Sequence, residues 1–165
     1  MQTTAVVGAG TMGRGIAQVF LQSGMEVVLI DRSEEQLEKA IEDIKAGLEK
    51  FREKEKIEED PEEIIERLDA NTAMAEVEGA ELILEAVSEK EEIKREVYQE
   101  AAKHNKSAVY ASNTSSIPIK KLAEHAPDPE KFIGMHFFNP APIMDIVEVV
   151  KTEETSKEVE NEVLE

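Results

Sequence analysis

A β-rich run at residues 3–7 stops on Gly8-Ala9-Gly10, and the helical spacing of Ile16, Val19 and Phe20 takes over from about Met12. Gly8, Gly10 and Gly13 thus stand as G-x-G-x-x-G between a strand and a helix. Each has a mechanical reason: Gly8 for a tight turn, Gly10 for close backbone approach to a pyrophosphate, Gly13 for packing helix on strand. The helix start, with Thr11 and Met12 in its first turn, offers free N–H groups and a positive dipole end to an anion. A glycine cluster alone often just makes a turn. Here it is answered: Gly24 stops the helix, and a second buried strand, residues 25–30, ends on Asp31. A carboxylate there accepts hydrogen bonds from ribose hydroxyls and repels a 2′-phosphate, so NAD is expected rather than NADP. Arg32 beside it is the discordant charge.

Ser33 followed by Gln36 is a capping-box pattern opening a long helix, with Leu37, Ile41, Ile44, Leu48 and Phe51 inward. Asp60-Pro61 starts a second helix carrying Ile64, Ile65 and Leu68, so an antiparallel hairpin beside the sheet is expected. Residues 72–74 read as a short strand and 82–87 as a buried one. A helix over about 89–104 follows, with Ile93, Val97 and Ala101 inward. Strands at 108–111, 132–138 and 146–150, a short helix at 118–123 and a helix from Ser156 complete the chain. Strands alternating with helices give the fold class: α/β, Rossmann-type, doubly wound, a mostly parallel sheet with a helical hairpin protruding after the second strand. Residues 1–165 are expected to form one domain. Ligands in that architecture lie beyond the carboxyl ends of the strands, where these motifs fall.

The net charge of -18 repels phosphates over most of the surface and argues against nucleic acid or an anionic membrane as partner. No apolar run approaches membrane length, and no leader-like segment precedes the first strand, so the cytoplasm is the expected compartment. The absence of Cys removes disulfides and thiolate metal sites, and His104, His125 and His136 lack ligand spacing, so no metal is expected.

Oxidising a secondary alcohol needs a base for the hydroxyl proton while hydride leaves. His136 sits near a strand end before the Pro-rich turn Asn139-Pro140-Ala141-Pro142, where it would face the crevice. Glu148 lies on the returning strand, and a chain reversal can set its carboxylate, if buried, against the imidazole to fix its tautomer. From these residues alone, a core histidine and an exposed strand glutamate are the equal alternative.

By GAGTMGRGIA, EAVSE, ASNTSS and GMHFFNP, the sequence resembles the NAD-binding domain of the 3-hydroxyacyl-CoA dehydrogenases, most of all the short-chain 3-hydroxybutyryl-CoA type. The resemblance runs from Thr3 to about Val150. It implies NAD-dependent interconversion of 3-hydroxyacyl-CoA and 3-oxoacyl-CoA, a step of fatty-acid β-oxidation, with His136 as general base oriented by Glu148. It further implies that Ser115 hydrogen-bonds the substrate oxygen, that Asn139 lies by the nicotinamide, and that Glu89 and Lys94 contact the cofactor. The acyl-CoA would lie along the helical hairpin, with Lys50, Lys54 and Lys56 as candidate contacts. Asn113 and Ser116 read as caps of the following helix.

The family's PGF…NR segment and helical domain, which closes over the acyl group and forms the dimer, find no match here. The expectation is therefore a first domain only, from a truncated product or half of a split enzyme. It would act as a homo-oligomer or with a separate helical chain. Two other readings stand beside the enzyme: a cofactor-binding module that needs such a chain for turnover, and a related dehydrogenase of a hydroxy acid or sugar acid, for which the hairpin lysines would be dispensable.

Overall fold

The computed structural model describes residues 1–164. Seven strands form one sheet in the order β3-β2-β1-β4-β5-β6-β7: β1 (Thr3–Val7), β2 (Glu26–Ile30), β3 (Leu68–Asn71), β4 (Leu82–Glu85), β5 (Val109–Ser112), β6 (Phe132–Phe137) and β7 (Val147–Val150). The first six run parallel, and β7 returns antiparallel to β6. This is the doubly wound Rossmann arrangement the alternation implies, and the order reverses between β1 and β4.

The helices cover both faces. α1 (Thr11–Gln22) and α2 (Glu34–Glu53) pack with Ile16, Leu21, Ile44 and Leu48 on one face, while α4 (Glu91–Ala101) and α5 (Ile119–Ala123) bring Val97, Tyr98 and Leu122 to the other. Each fully buried Leu or Ile contributes about 1.5–3 kcal/mol, so these two layers hold the sheet. A last helix, α6 (Lys157–Leu164), buries Val159 against the first face.

The hairpin after β2 is lopsided. α2 is twenty residues long, and the Ser33 hydroxyl caps it by accepting from the Gln36 N–H. α3 (Pro61–Ile65) spans only five, capped by Asp60. Leu68, expected in this second helix, instead opens β3, paired with Val27. The outer edge of β2 needs backbone partners, and recruiting residues 68–71 as a parallel strand satisfies them better than another helical turn. The short strand expected at residues 72–74 is accordingly displaced to 68–71, and a 3-10 helix follows at Met74–Gly79.

Candidate active site

In-register parallel pairing sets Val7 against Ile30 on one side and against Glu85 on the other, so Gly8, Asp31 and Ala86 leave the sheet side by side. Gly8 adopts φ +107°, and a Cβ there would meet the Ala86 carbonyl oxygen at 2.7 Å. A Cβ on Gly13 would overlap the Gly8 carbonyl, so α1 can start this close to β1 only with glycine there. A Cβ on Gly10 would meet nothing, because the space above it is the open floor of a cleft of about 830 Å³.

That cleft is lined by Gly8, Gly10, Asp31, Arg32, Ala86 and Val87, among others. No side chain caps α1 and no acidic residue sits in its first turn, leaving its N–H groups to a ligand. Thr11 and Met12 form that first turn. Asp31 accepts from the Ala9 N–H through Oδ2 (2.8 Å) and from the Ser33 N–H through Oδ1 (3.0 Å). Both oxygens keep lone pairs for a diol. Arg32 points at Glu96, 3.6 Å away. A glycine floor, a free helix N-terminus and a braced carboxylate fit the pyrophosphate and ribose of a dinucleotide.

A second pocket, of about 350 Å³, shares Ala86 and Val87 with the cleft and gathers Met12, Glu89, Lys94, Ser115, His136 and Asn139. His136 and Glu148 are direct cross-strand partners in the β6–β7 ladder, and Nδ1 lies 3.1 Å from Oε2. The glutamate is 60% exposed and the histidine 22%, so the carboxylate at this pair is solvated rather than buried as expected. It stands on the last strand of the sheet.

Glu89 and Lys94 belong to a network invisible in their local sequence. Lys94 is fully buried and donates to Glu85 Oε1 at 2.7 Å and to Glu89 Oε2 at 3.1 Å. Glu85, at the end of β4 and equally buried, also accepts from the Val87 N–H, the Tyr98 hydroxyl and the Ser112 hydroxyl. Glu89 Oε1 accepts from the Thr114 and Ser116 hydroxyls and from the N–H groups of Ser115 and Ser116. Burial pushes the Glu89 carboxyl up, but the Thr114 hydroxyl, the Lys94 ammonium and the Ser116 N–H outweigh it and hold the group at about 2. Burial and the Glu85 charge push the Tyr98 phenol well above its usual range.

The expected caps act differently. Asn113 Oδ1 accepts from the Phe137 N–H (2.8 Å), stitching the exit of β5 to the end of β6 beside His136. Ser116 donates to Glu89, and it is Thr114 that accepts the Ile117 N–H. Lys50 and Lys54 lie exposed at the end of α2, and the Lys56 ammonium sits 5.5 Å from the Phe51 ring centroid. None of the three lines the His136 pocket. Phe51 itself faces Ala141, Pro142 and Val147 across a shallow groove, so the hairpin tip does approach the turn after β6.

Among the described residues no helix is long and apolar enough to cross a membrane. Residues 3–165 match the family model described as 3-hydroxyacyl-CoA dehydrogenase, NAD binding domain. The chain is 42% identical over 154 residues to a probable 3-hydroxybutyryl-CoA dehydrogenase of Deinococcus radiodurans, covering 93% of this chain and 55% of that one. It is 39% identical over 164 residues to the mitochondrial hydroxyacyl-coenzyme A dehydrogenase of Sus scrofa, covering 92% and 51%. The crystal structure of (S)-3-hydroxybutyryl-CoA dehydrogenase from Ralstonia eutropha superposes with a TM-score of 0.94 at 34% identity, over 99% of this chain and 58% of that one. The chain thus spans about half the length of these relatives.

Proposed function

From the premise that this chain belongs to the 3-hydroxyacyl-CoA dehydrogenase family as its NAD-binding domain, we propose that it carries the redox half of an enzyme interconverting 3-hydroxyacyl-CoA and 3-oxoacyl-CoA. NAD, held in the cleft, supplies the hydride acceptor. The first turn of α1 holds the pyrophosphate, Asp31 the adenosine ribose, and Met12 and Asn139 line the nicotinamide pocket.

His136 takes the proton of the substrate hydroxyl at Nε2. Its Nδ1–H donates to Glu148, which fixes the tautomer and stabilises the imidazolium as it forms. Ser115, on the loop gathered by Glu89, donates to the substrate oxygen and keeps it in line with the base. Lys50 and Lys54 give an otherwise acidic surface local positive charge for the phosphates of CoA. The observation that carries the reading is the register-matched His136–Glu148 pair, whose imidazole shares one pocket with Ser115 and Asn139.

One observation favours a second reading, a cofactor module that turns over only with a separate covering chain. Glu148 is solvated, and Ile143, Ile146 and Val147 beside it are exposed. An open site weakens each electrostatic contact in it. The test is acetoacetyl-CoA-dependent NADH oxidation by the purified chain. We expect turnover that falls by about 10²–10⁴ in His136→Ala. Folded protein that binds NADH without turnover would instead establish the module.

A further inference from the structure

Behind the pocket runs a row of charges with no part in proton or hydride transfer: Glu85, Lys94 and Glu89, linked at 2.7 and 3.1 Å. Glu85 and Lys94 are sealed from bulk solvent, and Glu89, 36% exposed, stands at the pocket wall in front of Lys94. Both carboxylates of the row are fully engaged. Glu85 is saturated by Lys94, Tyr98, Ser112 and the Val87 N–H, and Glu89 is clamped by Lys94 on one oxygen and the 114–116 loop on the other. Neither carboxylate can swing to another partner without leaving several donors empty.

We propose that this row discriminates between the two redox forms of the cofactor, favouring the cationic nicotinamide of NAD+ through the Glu89 carboxylate, with Glu85 and Lys94 as positioning residues. The proposal rests on reading the pocket as the nicotinamide site. NAD+ and NADH differ there by one positive charge and are otherwise alike in the groups bound by the cleft. A charge at the pocket wall therefore acts on their ratio, whereas a packing defect acts on both. Lys94 alone would cancel Glu89. Glu85 prevents this by engaging the ammonium from behind, where the contact is sealed from bulk solvent, so the row as a whole keeps one negative charge facing the ligand. Glu85 thereby affects a ligand it never touches.

The experiment is the dissociation constant of NAD+ and of NADH, each measured by calorimetry on the whole chain at one pH and ionic strength. It compares the wild type with Glu89→Gln and Glu85→Gln, with circular dichroism confirming the fold. His136 is unchanged throughout, so its charge cancels in the comparison. For Glu89→Gln we expect the ratio Kd(NAD+)/Kd(NADH) to rise by about tenfold with NADH affinity kept. That equals an upward shift of about 30 mV in the bound two-electron couple. Glu85→Gln should move the ratio several-fold in the same direction. Should it not fold, Glu89→Gln decides alone, because its site is at the surface. Equal loss of both forms, or an unmoved ratio, overturns the proposal and leaves Glu89 as a brace for the loop. A folded wild type that binds neither form overturns the nicotinamide-site reading itself.

Discussion

His136–Glu148 and Lys94–Glu85 are contacts of similar length, 3.1 and 2.7 Å, in opposite surroundings. The first bridges the outermost strand pair with its carboxylate in water. The second lies under the sheet's carboxyl edge with 1% and 0% of its side chains exposed. A solvated pair is screened and adds little to stability, but its members are free to exchange protons and meet a substrate. A sealed pair has lost its hydration and must stay paired to be tolerated, so it holds geometry and charge and takes no part in exchange. On the proposed reading the molecule separates the two duties by depth, with chemistry at the rim and fixed electrostatics beneath it.

The contrast can be broken most forcefully at Lys94. Lys94→Met leaves Glu85 charged and buried, and we expect a loss of about 3–5 kcal/mol in urea unfolding. A loss below 1 kcal/mol would mean that water reaches the row. Acid should separate the regions next. The Glu89 carboxyl is held at about 2 against an ordinary 4.5, so its contribution to stability is present above about 4.5 and disappears as pH falls through 2. Unfolding curves between these limits should show a loss in the wild type that Glu89→Gln lacks. An identical acid dependence in the two proteins would free Glu89 from this role. The smallest effect belongs to the rim: Glu148→Gln should change stability by under about 1 kcal/mol. A larger cost would place that pair with the buried one.

Much of this is legible in the sequence. The glycine turn, the Asp31 strand end and the order of strands and helices follow from spacing alone, because they are local. The single turn between the two strands allows the His136–Glu148 contact without deciding it, and the family resemblance is what favours it over a core histidine and an exposed glutamate. What resisted reading depends on partners far along the chain. The inward stripe of α4 runs through Lys94, Val97, Tyr98 and Ala101, where periodicity suggested Ile93, Val97 and Ala101. A lysine is normally assigned outward, and Glu85, at the end of the otherwise apolar run Leu82-Ile83-Leu84, makes it acceptable inside together with Glu89. A carboxylate closing a buried strand was the available signal. Likewise Asp60-Pro61 announces a helix, but nothing nearby says that β2 lacks an edge partner, which is what converts Leu68 to a strand.

The brace at Asp31 bears on how such a domain can change its diet of cofactors. The residue we assign to the ribose is also the anchor for the Ala9 and Ser33 N–H groups, one on each oxygen. A replacement that admits a 2′-phosphate must therefore supply two acceptors to the surrounding loops or let one of them go slack. Arg32 already stands next door, so the charge needed for the phosphate is at hand, and the obstacle is architectural. Drift from one dinucleotide to the other in this lineage would have to begin in the loops, with a new support for Ala9, before position 31 is free to vary.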